Sequence, residues 1–248
     1  MAKPKQSISE RLSFANVAIS NALSDAQIGK LLAEYGYNTQ KLNEGKGVFT
    51  AADTAVKRQI ALYGAQKEAS KKADDAEKAA RSAYQSLSQV AKAAFGQDRA
   101  KLGVLGLDRA MPNPVPLFIT MSTALFDNAM QTKEIADVLK NYGYTAERLT
   151  AERKKIEQLE SAKAAYESAK GAAQQATAEQ KKAMEALDAW MSGFVKVARV
   201  ALKEQPQLLE KLGILKRGEK TPAKRQASIK VVQTENANKE KTYTEKKE

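Results

Sequence analysis

The chain has 248 residues and a net charge of +12, with neither cysteine nor histidine. The lack of cysteine excludes disulfides, zinc–thiolate sites and thiol nucleophiles, and the lack of histidine removes the commonest general base and the usual ligands of zinc proteases and di-iron bundles. We therefore expect a protein that is not an enzyme and that holds no cofactor or metal. The positive charge permits binding to nucleic acid, anionic lipid or an acidic protein, but lysine and glutamate alternate along most of the chain, so it indicates none of them.

Aromatic residues make up only 6% of the chain, and glycine and proline lie mainly at the ends of its periodic segments. This usage is typical of long helices, and an all-α fold is predicted. The amino terminus lacks the apolar core of a signal peptide, and the longest apolar run, residues 115–126, is interrupted by polar residues and too short to cross a bilayer. A cytoplasmic protein without a transmembrane segment is expected.

Two amphipathic helices are predicted at the start of the chain. Apolar residues recur at three- and four-residue spacing from Ile8 onward, which predicts helix A, and Ser7 with Glu10 has the pattern of a capping box. A short helix B is predicted next, because Ser24 and Gln27 have the spacing of a helix start. Its apolar stripe would consist of Ile28, Leu31, Leu32 and Tyr35.

Helix B ends in Tyr35-Gly36-Tyr37, and the same sequence recurs as Tyr142-Gly143-Tyr144. Glycine at this place is typical of a helix that ends in the left-handed conformation, and Tyr37 can fold back onto the last turn. Asn38 or Thr39 is then expected to cap the next helix. Two phenols at a helix junction also suit a ligand or partner site, but a cap with core packing explains both turns, and we favour it.

A strict three-four alternation runs from Ala52 to Ala94, and again from Leu159 to Ala201, without a break in phase. Because a hairpin loop would have no reason to preserve this phase, we predict one continuous helix C of about fifty-five residues per half, roughly 80 Å long at 1.5 Å per residue. The alternative is a helical hairpin in each half. The stretches around residues 70 and 177 are polar, and an alanine-rich core gives weak support to a long helix.

A shift of 107 positions relates the two halves of the sequence. It places the Tyr-Gly-Tyr turns on each other and, without a gap, Leu87 on Phe194 and Val90 on Val197. After a three-residue insertion, residues 101–104 meet residues 211–214, so that a glycine at position 103 or 213 is expected to close a short final turn.

An internal repeat decides architecture before any local pattern does. We predict two helical repeats, residues 1–107 and 108–215, that form an elongated bundle of antiparallel helices related by a pseudo-twofold axis. In the second repeat a proline-rich linker precedes helix A′, which carries Val115 to Met130, and helix B′, which carries Ile135 to Tyr142.

Residues 216–248 are predicted to form a basic, polar tail that is flexible or ordered by a partner. Apolar residues among its charges suit strand-like addition to a neighbouring chain. The residues predicted to contact a partner are Lys216, Arg217, Lys220, Lys224, Arg225, Ile229, Val231, Val232 and Tyr243. A role in solubility alone is the alternative.

Residues 132–156 have the layout of a helix-turn-helix. Its second helix carries Arg148, Arg153, Lys154 and Lys155. The first repeat has only Lys41 and Lys46 there, so a solvated helix face is the favoured interpretation. The acidic cluster at residues 74–77 lacks the loop glycine of a calcium site and the facing partners of a metal bundle, and we interpret it as surface charge.

The sequence Tyr142-Gly143-Tyr144 followed by Ala146-Glu147-Arg148-Leu149, together with Val195-Lys196-Val197-Ala198-Arg199, resembles segments of an uncharacterised group of duplicated, alanine-rich bacterial helical proteins. The resemblance covers both halves and not the tail. It implies a fold and no activity.

The leading hypothesis is a non-enzymatic structural or scaffold protein that self-associates into an oligomer or filament through its long helices and its tail. The first alternative is a nucleic-acid-binding protein that uses the basic tail and the helix faces around Lys41 and Arg148, which steep salt dependence would identify. Binding to an anionic membrane surface is the second alternative.

Overall fold

The fold is all-α throughout residues 6–214, which are the part of the chain that the computed structural model describes. No strand occurs among these residues, so the all-α prediction is confirmed. Within them, no helix is long and apolar enough to cross a membrane. The helices of this part are α1 (Ile8–Ser24), α2 (Ala26–Ala33), α3 (Thr39–Phe95), α4 (Arg99–Val104), α5 (Val115–Gln131), α6 (Lys133–Asn141), α7 (Ala146–Ala201) and α8 (Pro206–Lys211).

Helices α3 and α7 are continuous over 57 and 56 residues. The prediction of one long helix per half is confirmed, and the hairpin alternative is wrong. Thr177, in one of the two polar stretches where a hairpin loop was the alternative, lies inside α7 and donates its hydroxyl to the carbonyl oxygen of Ala173 at 2.9 Å. The polar stretches stay helical because they are rich in alanine, which has the highest helix propensity, and because ion pairs one turn apart, such as Lys72 with Glu68 at 2.7 Å, lie along the exposed face.

Side chains at predicted positions begin α1 and α3. Ser7 and Glu10 form the capping box, with the Glu10 N–H donating to Ser7 Oγ at 3.2 Å and the Ser7 N–H donating to Glu10 Oε2 at 2.7 Å. At the start of α3, Asn38 Oδ1 accepts from the Lys41 N–H at 3.0 Å. All three hydrogen bonds satisfy backbone N–H groups at a helix start that have no partner within the helix.

The start of α2 differs from the prediction. Ser24 is the last residue of α1, and Asp25 is the N-cap of α2. The Asp25 carboxylate accepts from the N–H groups of Gln27 at 3.0 Å and Ile28 at 3.1 Å. A hydrogen bond from Lys211 is the largest of the contacts that lower the pKa of this carboxyl group. A carboxylate at a helix N-terminus satisfies two free N–H groups and also faces the positive end of the helix dipole.

The prediction that Gly103 closes the turn after α3 is wrong, because Gly103 lies inside α4. The left-handed residue at the end of α4 is Gly106, with φ 67°, and the N–H of Leu107 donates to the carbonyl oxygen of Leu102 at 2.9 Å. At the end of α8 the left-handed residue is Gly213, with φ 70°. The two caps are separated by 107 positions.

The chain packs into two compact units. Unit 1 contains residues 6–49 and 187–214 of the described part, and unit 2 contains residues 50–186. Helices α3 and α7 each contribute residues to both units. The predicted boundary between residues 107 and 108 concerns repeats of sequence, and it stays a prediction.

Each unit has its own apolar core. In unit 1 the fully buried side chains include Ile19, Ile28, Leu32, Leu42 and Phe194. In unit 2 they include Phe118, Leu125, Phe126, Ile135 and Leu149.

Within unit 2, α3 and α7 run antiparallel. Arg58 of α3 pairs with Glu179 of α7 at 2.6 Å, and Glu77 of α3 pairs with Lys163 of α7 at 2.9 Å, so numbers that rise along one helix fall along the other. The buried residues of residues 50–76 and 160–183 are all alanines, namely Ala52, Ala73, Ala173 and Ala176. Small side chains let two helices approach closely, but they bury little apolar area per residue.

Candidate functional site

The Tyr-Gly-Tyr turns have the geometry of helix caps. Gly36 has φ 85° and Gly143 has φ 80°, the positive values that the sequence predicts. The N–H of Tyr37 donates to the carbonyl oxygen of Leu32 at 3.0 Å, and the N–H of Gly36 donates to that of Ala33 at 3.1 Å. This pair of bonds is the Schellman motif, in which a left-handed glycine satisfies the last carbonyl groups of a helix.

The tyrosines of each turn lie in different surroundings. Tyr37 in unit 1 packs edge-on against Trp190, with ring centres 5.8 Å apart, and burial raises the pKa of its phenol. Tyr144 in unit 2 is 2% exposed, and the guanidinium of Arg148 lies 4.1 Å from its ring centre. The predicted stripe position of Tyr35 is wrong, since Tyr35 and Tyr142 are 50% and 52% exposed. Tyr35 lies beyond the end of α2, where helical spacing no longer sets the direction of a side chain.

The basic face predicted in residues 132–156 is largely engaged by its own neighbours. Arg153 forms ion pairs with Asp127 at 2.5 Å and with Glu157, and its hydrogen bond to Asp127 is the largest cause of the raised pKa of this guanidinium. Lys155 pairs with Glu152 at 2.7 Å. A cation that is already paired releases less free energy when it contacts a phosphate, so this face is a poor candidate for nucleic acid.

Lys41, which the sequence places at the position equivalent to Arg148, is also engaged. It pairs with Glu44 at 2.7 Å, and the hydrogen bond to Glu44 is the largest cause of its raised pKa. Among residues 6–214 no group of three acidic side chains is placed to hold a metal ion. The predicted tail contacts, from Lys216 to Tyr243, lie outside the described residues.

An open groove in unit 1, between α1 and the carboxyl-terminal part of α7, was not predicted from the sequence. Its volume is 340 Å³. The lining residues that determine its polarity and charge are Arg11, Phe14, Asp188, Met191, Lys196 and Arg199. Apolar side chains form its floor and charged side chains its rim, as in sites for small amphiphilic molecules.

The charges of the groove are unevenly matched. Arg11 binds Asp188 through two hydrogen bonds, one of them from Nε to Oδ1 at 3.0 Å. Lys196 and Arg199 are exposed and make no ion pair within residues 6–214. Among residues 6–214 the carboxylate that lines the groove is therefore neutralised, while two of its cations stay available to solvent.

A second exposed feature lies on α3 in unit 2. Ile60 is 63% exposed and Tyr63, one turn further on, is 48% exposed. The ammonium of Lys67 lies 4.7 Å from the ring centre of Tyr63. We call Ile60 and Tyr63 the α3 apolar pair. Sequence reasoning missed it because neither residue falls on the alternation that defines the buried face.

Comparisons with known proteins found no similarity: no protein family, no curated protein and no solved structure matches this chain.

Proposed function

We propose that the chain is a duplicated, non-enzymatic scaffold protein that associates with copies of itself in the cytoplasm. The duplication is supported by the helix bounds. A shift of 107 positions carries α1 onto α5 and α4 onto α8 with both ends matching. It also carries Gly36 onto Gly143 and Gly106 onto Gly213, all four with positive φ.

Equivalent tertiary contacts support the same proposal. In unit 1 the side-chain amide of Asn21 donates to the carbonyl oxygen of Lys211 at 2.6 Å. In unit 2 the amide of Asn128 donates to that of Val104, also at 2.6 Å. The two donors, Asn21 and Asn128, are 107 positions apart, and so are the two acceptors, Val104 and Lys211. The same contact therefore occurs once in each unit.

Each unit combines helices from both proposed repeats. Unit 1 takes α1, α2 and the start of α3 from the first repeat, but the end of α7 and all of α8 from the second. Unit 2 takes the complementary pieces. Neither repeat alone contains the pieces of a complete unit, which is a reason for two fused copies to be kept in one chain.

The α3 apolar pair is the observation that carries self-association. The larger apolar side chains Ile60 and Tyr63 face solvent, in a stretch of unit 2 whose buried residues are all alanine. A second copy, related by a twofold axis, would bury the pair twice, once from each chain. Complete burial of a fully exposed side chain of this size contributes about 1.5–3 kcal/mol, and roughly half of that applies here because Ile60 and Tyr63 are 63% and 48% exposed. A symmetric contact gains from four such side chains.

The test is sedimentation velocity of the full chain over a hundredfold range of concentration. We expect the sedimentation coefficient to rise with concentration, and the double variant Ile60→Glu/Tyr63→Glu to shift this rise to higher concentration by about tenfold or more. The matched control is Ala61→Glu, which adds a carboxylate at a neighbouring exposed position on another face of α3. A wild-type chain that stays monomeric, or a control that acts like the double variant, would contradict the role of this pair.

The tail enters the proposal as a second contribution to assembly. Residues 216–248 contain ten lysines and arginines but only five glutamates. Nucleic acid and anionic membranes are the alternative partners of so basic a segment. Binding to DNA, RNA or vesicles that requires the tail and falls steeply with salt would favour those alternatives over self-association.

A further inference from the structure

We propose that the groove of unit 1 binds a small amphiphilic carboxylate, of the kind represented by a medium-chain fatty acid. The aliphatic chain would lie on Phe14, Met191 and Val195, and the carboxylate would contact Lys196 and Arg199. These five residues line one continuous groove.

The dimensions of the groove suit such a molecule. Its volume of 340 Å³ is at the lower end of the range of about 300–1,000 Å³ that is typical of small-molecule sites. The buried side chains Leu187 and Met191 form a firm floor, at 1% and 7% exposure. A groove of this size accepts a flexible chain, whereas a folded partner would need a contact surface several times larger.

The charges of the groove select an anion. Its lining contains Arg11, Asp188, Lys196 and Arg199 as charged residues. Because Arg11 holds Asp188 in a two-bond ion pair, the ligand would meet Lys196 and Arg199 without a competing carboxylate. Arg199 lies in the last turn of α7, where a cation offsets the helix dipole, but Lys196 lies one turn earlier and has no such role.

Unit 2 supplies an internal comparison, which uses the repeat correspondence proposed above. The positions equivalent to Arg11, Asp188 and Met191 are Phe118, Arg81 and Tyr84. Phe118 is fully buried. Its ring centre lies 5.7 Å from that of Tyr84, and the guanidinium of Arg81 lies 4.5 Å from the ring centre of Phe118.

The place that is open in unit 1 is thus filled by side chains in unit 2. The rim differs as well, because Gln89 and Lys92 occupy the positions of Lys196 and Arg199. The apolar floor and the double cation occur together only in unit 1, which is the pattern expected if one copy of a repeat had acquired a ligand.

The first experiment is a titration of the full chain with dodecanoate and dodecyltrimethylammonium, each below its critical micelle concentration, and with dodecanol below its solubility limit. Isothermal calorimetry and the fluorescence of Trp190, the one tryptophan of the chain, are the readouts. We expect saturable binding of dodecanoate at one molecule per chain, binding of dodecanol about tenfold weaker, and no binding of the cation. Equal binding of all three probes, or binding of none, would overturn the proposal.

The second experiment uses variants that change one feature of the groove each. Lys196→Gln/Arg199→Gln is expected to weaken dodecanoate binding about tenfold without changing the affinity for dodecanol. Met191→Tyr introduces the ring that fills the same place in unit 2 and should abolish binding of both. Lys203→Gln, which removes a nearby cation that does not line the groove, is the control and should bind as the wild type does.

Circular dichroism and thermal melting identify any variant that fails to fold, and in that case Val195→Gln replaces Met191→Tyr as the test of the apolar floor. Unchanged dodecanoate binding in a folded floor variant would overturn the proposal. So would binding that occurs only with anionic vesicles and not with dodecanoate in solution. All these variants lie in unit 1 and the α3 apolar pair lies in unit 2, so failure of this proposal leaves the sedimentation test of self-association intact.

Discussion

Replacement of Gly45 by alanine tests the packing of unit 1 most sharply. Gly45 lies in α3 and is buried against the indole of Trp190. A methyl group on Gly45 would lie 2.6 Å from Cε2 of that ring and closer still to Cζ2 and Cη2. Carbon atoms in contact are normally about 3.5–4.0 Å apart, so the ring would have to move by about 1 Å or more.

The indole has little freedom to move. It is stacked on Phe194 with ring centres 5.3 Å apart, and its other neighbour is the edge of Tyr37. Its Nε1 is buried and has no hydrogen-bond partner within residues 6–214, where packing alone holds the ring. Overpacking costs about 1–3 kcal/mol, and each disturbed aromatic pair adds about 0.5–1.5 kcal/mol.

The higher helix propensity of alanine offsets about 1 kcal/mol of this packing cost. We therefore expect Gly45→Ala to lower the free energy of unfolding of unit 1 by about 2–3 kcal/mol.

Gly47 provides the matched control two residues along the same helix. A methyl group there would have no neighbour within 4 Å, so Gly47→Ala should raise the free energy of unfolding by about 0.5–1 kcal/mol. The two variants should then differ by about 3 kcal/mol, or about a hundredfold in the unfolding equilibrium constant. Urea denaturation followed by the fluorescence of Trp190 measures this difference in unit 1. Equal midpoints for the two variants would refute the packing of the indole against Gly45.

Three further predictions concern the cap, an ion-pair network and the tail. Gly36→Ala should lower the free energy of unfolding by about 1 kcal/mol in urea, because φ is 85° there; an unchanged midpoint would contradict the left-handed cap. The pKa of Glu77 is held below its ordinary value of 4.5, mainly by Lys163 and also by Arg81. Because this carboxyl group has a lower pKa in the folded state than in the unfolded state, its ionised form stabilises the fold at pH values above about 4.5. This contribution to stability is lost as the pH falls below about 4.5. Thermal melts from pH 7 to pH 3 should therefore fall less for Glu77→Gln than for the wild type, and parallel curves would exclude this network. A chain that ends at Leu215 should keep its helical circular dichroism and lose part of its association, and unchanged sedimentation would assign the tail to solubility.

The long helices and the glycine caps are the features that the sequence predicts well. A phase that survives more than fifty residues distinguishes a continuous helix from a hairpin without any tertiary information. A glycine just past an amphipathic stretch is likewise a local signal, since only the backbone conformation of that residue matters. The failures at Ser24 and Gly103 are of another kind. Asp25 lies next to Ser24 and Gly106 lies close to Gly103, and each of these neighbours satisfies the same local rule for a helix cap. Tertiary contacts, such as that of Lys211 with Asp25, select between the candidates.

The groove depends on the volumes of the side chains at three helical positions. Neither the composition nor the periodicity of the sequence indicates it. The proposed repeat offers a signal in the sequence. At the shift of 107 positions most core residues keep their type, but Arg11 meets Phe118, Asp188 meets Arg81 and Met191 meets Tyr84. If the chain is duplicated as proposed, exchanges of a charge for a ring, or of a flexible side chain for a rigid one, mark the places where the two copies differ in packing.

The molar mass of the full chain in solution tests the proposed scaffold function most directly. Light scattering coupled to size-exclusion chromatography gives this mass at each concentration, and electron microscopy of the same fractions shows the form of any assembly. Self-association predicts a mass that is a multiple of 27.0 kDa and that rises with concentration. A mass of 27.0 kDa at every concentration, with no assembly in the micrographs, would contradict the proposal.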